Sequence, residues 1–236
     1  MVKAIIFDFG QTLADAAGGF RAAEKKAEVN LYSRLGVTPW DDFLSQYRQV
    51  RKSFQERSEF SRKAMWAQLL TSYGVVPDED CLAEWEGDYW SMVEAETALF
   101  PETMDVLRRL SVKHRLAVIT NTRAEAKSGQ HRFSRFPGLE KLFNIVIVAG
   151  ESGVPPKPDP VPFRLCLDNL GIAASESVYI GDDWRIDVCG ARDVGMQPIW
   201  LQHHSVRRSW SLKETSVPVI TSLDPLLDLS TLLPKG

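Results

Sequence analysis

The sequence predicts an α/β protein: a doubly wound, Rossmann-like parallel sheet interrupted by an inserted α-helical domain. Two observations predict it. Short apolar runs rich in β-branched residues recur at 3–8, 115–120, 144–148, 177–181 and 197–201, and runs apolar on both faces suit a parallel sheet covered by helices on each side. By contrast, residues 16–97 repeat their apolar side chains at steps of three and four with no strand-like run among them, which is the helical period.

The first run, Ala4-Ile5-Ile6-Phe7, ends abruptly in Asp8, and Phe9-Gly10-Gln11-Thr12-Leu13 follows. Breakers so close behind an apolar run mark the end of a buried strand. Next come four helical stripes: Phe20, Ala23, Ala27, Leu31 and Leu35; Trp40, Phe43, Tyr47, Val50 and Phe54; Met65, Trp66, Leu69, Leu70 and Tyr73; Leu82, Trp85, Tyr89 and Val93. Breaks near Gly36–Pro39, Ser58–Ser61 and Gly74–Pro77 separate them into a small bundle. The aromatic rings are expected to form its core, with Trp40 or Trp90 as candidates to face an active site instead. The α/β domain therefore comprises 1–15 and 98–236, and the helical domain 16–97. In the second part of the chain, Asp159-Pro160 opens a helix with a cap and a proline in its first turn, and Gly171 closes it. Gly195 closes the helical segment after 185 in the same way. A short run at 217–220 leads to a last helix over 225–233.

Composition excludes several classes of function. Hydrophobic residues make up 44% of the 236 residues, ample for a core, and the net charge is −3. Such a balance leaves no electrostatic footprint for nucleic acid or a membrane surface. Three widely spaced cysteines, Cys81, Cys166 and Cys189, fit a reducing compartment better than a disulfide framework. No stretch reaches the ~20 apolar residues of a membrane helix, and residues 1–20 carry no leader pattern. A cytoplasmic protein, monomeric or homodimeric, is the expectation.

Four loops carry the candidate chemistry. In an open parallel sheet the ligand crevice lies at the carboxyl ends of the strands, where Asp8 could serve as nucleophile or metal ligand. Thr120-Asn121-Thr122 follows the second run; a hydroxyl and free amides there can hold an anionic oxygen, or simply cap a helix. In Gly153-Val154-Pro155-Pro156-Lys157-Pro158-Asp159-Pro160, prolines rigidify the chain around Lys157. Lys157 is then either a fixed charge aimed into a site or a solvated surface lysine. The fourth loop, Gly181-Asp182-Asp183-Trp184-Arg185-Ile186-Asp187, sets three carboxylates within six residues. If its strand neighbours the first, Asp8 and Asp182 converge, and such crowding makes sense around a hard cation such as Mg²⁺. For Asp187 a capping or supporting position is the alternative.

In this order the four loops resemble the haloacid dehalogenase superfamily of phosphohydrolases, and the helical insert looks like that superfamily's first type of cap domain. The resemblance spans nearly the whole chain. It implies that Asp8 accepts the phosphoryl group, that Thr120, with Asn121 beside it, binds that group, and that Lys157 steadies its charge. It further implies that Asp8, the Gly10 carbonyl, Asp182 and Asp187 form a Mg²⁺ site, with the first strand between the second and the fourth. The implied substrate is a small phosphorylated metabolite.

One departure matters. Members of the family that act as phosphatases usually carry a second Asp two residues after the nucleophile, then Gly-Thr; here these positions are Gly10 and Gln11, with Thr12 retained. Gly10 keeps the carbonyl and loses the general acid–base side chain, help worth ~10²–10⁴ in rate. A glycine there also admits a left-handed backbone. Asp15 is the nearest titratable side chain along the sequence. Two other readings follow: a binding or regulatory protein that turns over feebly, and a metal-independent carbon–halogen hydrolase, against which the paired Asp182 and Asp183 speak. Substrate choice is expected in the insert, where residues 48–63 carry six basic side chains against two acids and residues 78–88 carry six acids and no base. These patches either pair with each other or select an anion. His114, His131, His203 and His204 are expected in structural or surface roles.

Overall fold

A computed structural model describes residues 1–36, 39–121, 135–206 and 216–233. The chain divides into two compact units, one of Met1–Asp15 with the described residues from Ala98 onward, the other of Ala16–Thr97.

The strands of the first unit, in chain order, are β1 (Ala4–Phe7), β2 (Ala14–Asp15), β3 (Ala98–Leu99), β4 (Arg115–Asn121), β5 (Ile145–Ala149), β6 (Ser177–Gly181), β7 (Gln197–Leu201) and β8 (Val219–Ile220). Six of them form a wholly parallel sheet in the order β5-β4-β1-β6-β7-β8. β1 therefore lies between β4 and β6, as expected. These three strands feed two cores: Ile5, Phe7, Leu116, Val118, Val178 and Ile180 on one face, Ala4, Ile6, Ala117, Ile119 and Tyr179 on the other. Burial on both faces is why these strands read as unbroken apolar runs rather than as alternation. The antiparallel ribbon Ala14↔Leu99, Asp15↔Ala98 is too short to leave a periodic trace in the sequence.

In the second unit the helices are α1 (Ala17–Leu35), α2 (Trp40–Glu56), α3 (Arg62–Ser72) and α4 (Glu79–Ala95). Their caps follow the sequence: Ser61 accepts the Ala64 amide at 3.1 Å and Asp78 that of Cys81 at 3.1 Å. The stripe residues Ala23, Leu31, Phe43, Tyr47, Trp66, Leu70, Leu82 and Val93 make one core, whereas Trp40 is 37% exposed against Tyr32 and Phe43. The basic run at 48–63 is largely neutralised within the unit. Arg51 and Arg62 approach Glu24, Lys52 pairs with Glu56, Arg57 with Glu59 and Lys63 with Glu79.

The helices of the α/β unit continue the series: α5 (Thr103–Ser111), α6 (Pro137–Glu140), α7 (Pro160–Leu170), α8 (Gly190–Asp193) and α9 (Leu229–Leu232). α7 is bounded as its caps predict, with Asp159 accepting from the Val161 amide at 2.9 Å and Gly171 left-handed at φ 61°. Two segments differ from the expected regular helices. Residues 184–189 form a π-helical turn ahead of α8, and the last segment is a 3₁₀ turn, Asp224–Asp228, before the single turn of α9. In that segment Asp228 accepts from the Ser230 and Thr231 hydroxyls, side-chain bonds that compete with a regular helix. No helix among the described residues is long and apolar enough to cross a membrane.

Candidate active site

The parallel order places the ends of β1, β4 and β6 side by side, and the predicted residues gather there. Asp8 follows β1 directly, its amide donating to the Ile180 carbonyl at 2.8 Å. Lys157 reaches it from the proline-rich loop and is only 1% exposed, so the surface-lysine alternative is excluded. Its ammonium donates to Asp8 Oδ1 at 2.8 Å, Asp187 Oδ1 at 2.7 Å, the Tyr179 hydroxyl at 2.8 Å and the Ile119 carbonyl at 2.8 Å. An ammonium has three protons, so four acceptors at this range over-determine its position. Thr120, the penultimate residue of β4, is 2% exposed. Asn121, expected beside it as a binding group, has both polar ends on the lysine's backbone: Oδ1 accepts from Lys157 N at 2.8 Å and Nδ2 donates to Lys157 O at 3.1 Å. It holds the lysine loop against β4. Thr122 and His131 lie outside the described residues.

The π-helical turn explains the placement of Asp187. Asp183 caps the turn, its Oδ1 accepting from Arg185 and Ile186 amides at 2.9 and 2.8 Å. Asp187 turns back so that its Oδ2 accepts from the Asp183 amide at 3.0 Å. A Cβ on Gly181 would lie 2.3 Å from Asp187 Cβ, so only glycine permits this approach. π-turns of this kind occur frequently at functional sites. One ligand atom from each of Asp8, Asp182 and Asp187 lies within 4.8 Å of the others.

Near Asp8, the turn takes its left-handed residue at Gln11, φ 60°, and not at Gly10; Gly10 bridges to Ala14. Asp15 belongs to β2, paired through its backbone with Ala98. Two site residues escaped the sequence reading, Tyr179 and Trp200. The signal for Tyr179 was a polar-tipped ring inside a buried strand, since a buried tyrosine hydroxyl usually finds a partner. His203 packs on Phe100 and bonds to Glu102, while His114 and His204 bond to backbone carbonyls.

A profile of the haloacid dehalogenase-like hydrolases matches residues 2–195. The chain belongs to that family. The phosphoserine phosphatase of Thermus thermophilus is 28% identical over 227 residues, covering 84% of this chain and 81% of its own. The phosphoglycolate phosphatase of Escherichia coli O157:H7 is 26% identical over 218 residues, covering 86% of this chain and 82% of its own. The solved structure of a putative hydrolase of this superfamily from Bacillus subtilis, bound to magnesium, shares the fold, with a TM-score of 0.67, 20% identity and 98% of each chain covered.

In this haloacid dehalogenase-like hydrolase the site gathers carboxylates. The Lys157 ammonium pairs with Asp8 and Asp187, and a carboxylate oxygen of Asp182 lies within 4.8 Å of theirs. Burial pushes the Asp8 carboxyl up to about 6, Lys157 opposing it and the Asp187 charge adding to it. Burial alone would lower the Lys157 ammonium, but Asp187 and Asp8 outweigh it and hold it above the usual lysine value. Burial, reinforced by Asp187, keeps the Tyr179 phenol well above its ordinary value and protonated. A hard divalent cation fits this donor set: oxygen ligands from three carboxylates, at a spacing a shared ion can bridge.

Proposed function

We propose that this hydrolase is a Mg²⁺-dependent phosphatase of a small phosphorylated metabolite, working through an aspartyl-phosphate on Asp8. The observation that carries the proposal is the buried contact of Lys157 with both Asp8 and Asp187 beside Asp182, together with relatives that are phosphatases. An Asp8 oxygen attacks phosphorus, the ester P–O bond breaks, and the leaving group departs as its oxyanion and takes a proton from water. Water then cleaves the aspartyl-phosphate, returning Asp8 and releasing inorganic phosphate. Lys157 fixes the nucleophile's orientation and offers positive charge where phosphoryl charge spreads, and preorganised charge of this kind dominates such transfers. Thr120 binds the transferring oxygens. Magnesium, held by Asp8, Asp182 and the Gly10 carbonyl with Asp187 in support, would supply further charge neutralisation. The helical unit acts as the cap that selects substrate.

Gly10 offers no proton to the leaving group, so hydrolysis should depend steeply on how well that group departs as an anion. Aryl phosphates should be turned over much faster than alkyl phosphates of similar size. Gly10→Asp should raise alkyl-phosphate turnover by up to ~10² and narrow the gap; because position 10 is not left-handed, the substitution enters without that strain. Steady-state assays on matched aryl and alkyl esters, with Mg²⁺ present, check both. Gly10 also favours the second reading, a phosphate-binding protein that scarcely turns over. A folded, metal-binding Gly10→Asp variant with no gain on any phosphate ester would move the assignment there.

A further inference from the structure

The peptide joining Asp182 to Asp183 is held at both ends. Its N–H donates to Asp187 Oδ2 at 3.0 Å, and its carbonyl, that of Asp182, accepts from the indole Nε1 of Trp200 at 2.8 Å. The parallel register explains the second contact. Trp200 in β7 stands opposite Gly181 in β6, so its side chain, 6% exposed overall, reaches the residue just past the strand's end. The ring of Trp184, from the π-helical turn, packs on it at 4.9 Å between centroids and 60° between planes. One hydrogen-bonded series therefore runs from Trp200 through this peptide to Asp187, on to Lys157 at 2.7 Å and to Asp8 at 2.8 Å.

We infer that Trp200 is a positioning residue for the metal site: its indole N–H fixes the Asp182–Asp183 peptide plane and so aims the Asp182 carboxylate at the cation. The inference rests on the metal reading above. Nothing in the ring touches the reacting atoms. Its contribution is that of an outer partner which fixes a ligand's orientation, and losing such a partner typically costs 10–100-fold in metal affinity. A buried indole N–H also has few other ways to be satisfied.

Calorimetric titration of Mg²⁺ tests it, with thermal melting in parallel and no substrate present. Trp200→Phe removes the donor and part of the ring. Replacement of Trp200 by benzothienylalanine keeps the ring's shape and removes only the N–H, which separates positioning from packing and covers the case where Trp200→Phe fails to fold. Trp184→Phe removes the neighbouring ring and leaves the hydrogen bond. The dissociation constant for Mg²⁺ should rise about tenfold or more in both Trp200 variants and stay within a few-fold of wild type in Trp184→Phe. Wild-type affinity in the benzothienylalanine protein would overturn the inference alone. A wild-type protein that takes up no Mg²⁺ would overturn it together with the metal reading.

Discussion

Lys157 shows how one residue can be costly and indispensable at once. Burying an ammonium is unfavourable unless it is paired and hydrogen-bonded, and here two carboxylates, a phenol and a carbonyl surround it. Removing it leaves Asp8 and Asp187 buried together without their counter-charge. Lys157→Ala should therefore lose about 3–5 kcal/mol of stability, the usual result of breaking one side of a buried pair. It should also cut turnover by ~10²-fold or more, the scale of one preorganised electrostatic contact. The two losses separate under titration with Mg²⁺. A cation among the orphaned carboxylates should recover much of the melting temperature, while turnover stays low. Chemical denaturation and steady-state rates of the same preparation check this, and normal turnover in the folded variant would take Lys157 out of the chemistry.

At the scale of elements, the four-helix unit has its own buried polar knot. Glu24 of α1 accepts from Tyr47 of α2 at 2.6 Å and from Tyr89 of α4 at 2.7 Å, with Arg51 at 3.2 Å and Arg62 at 3.8 Å. Burial would raise this carboxyl, but Arg62 and then Arg51 prevail and hold it below the ordinary value of 4.5. Its stabilising contribution is complete above that ordinary value. It is lost as pH falls below 4.5 and through the lowered native value, because the unfolded chain then binds the proton more readily. Glu24→Gln should cost about 3 kcal/mol at neutral pH by leaving the guanidinium of Arg62 uncompensated. The variant's urea midpoint should then vary less between neutral pH and pH 4 than that of wild type. Equal slopes against pH in the two proteins would show that Glu24 does not carry the linkage. The π-helical turn belongs to this scale as well: the capping of Asp183 and the return of Asp187 onto Gly181 are properties of the turn as a whole, which no single position reveals.

For the molecule as a whole, the proposed metal site should make folding responsive to a cation. A ligand that binds only the native state stabilises it by about 2.7 kcal/mol at a hundred times its dissociation constant. Thermal melts should therefore rise with Mg²⁺ in wild type and rise much less in Asp182→Asn; identical flat responses would remove the metal site. The sequence by itself determined the doubly wound sheet, the helical insert, the order of the four loops and the identity of Asp8, Lys157, Asp182 and Asp187. Each of these leaves a local trace: an apolar run closed by a carboxylate, a lysine between prolines, caps at Asp159 and Gly171. Tertiary structure decided the rest. Only the placement of β1 between β4 and β6 shows that Lys157 is buried against Asp8. Only the register of β6 with β7 brings the Trp200 indole to the Asp182 carbonyl, and only the fold of the proline-rich loop turns the Asn121 amide onto the backbone of Lys157. The physical reason is the range of the interactions. Propensity, capping and hydrophobic period act over a few residues and are written along the chain. Hydrogen bonds between residues 18 to 149 positions apart exist only after the strands have paired, so no window of the sequence contains both partners.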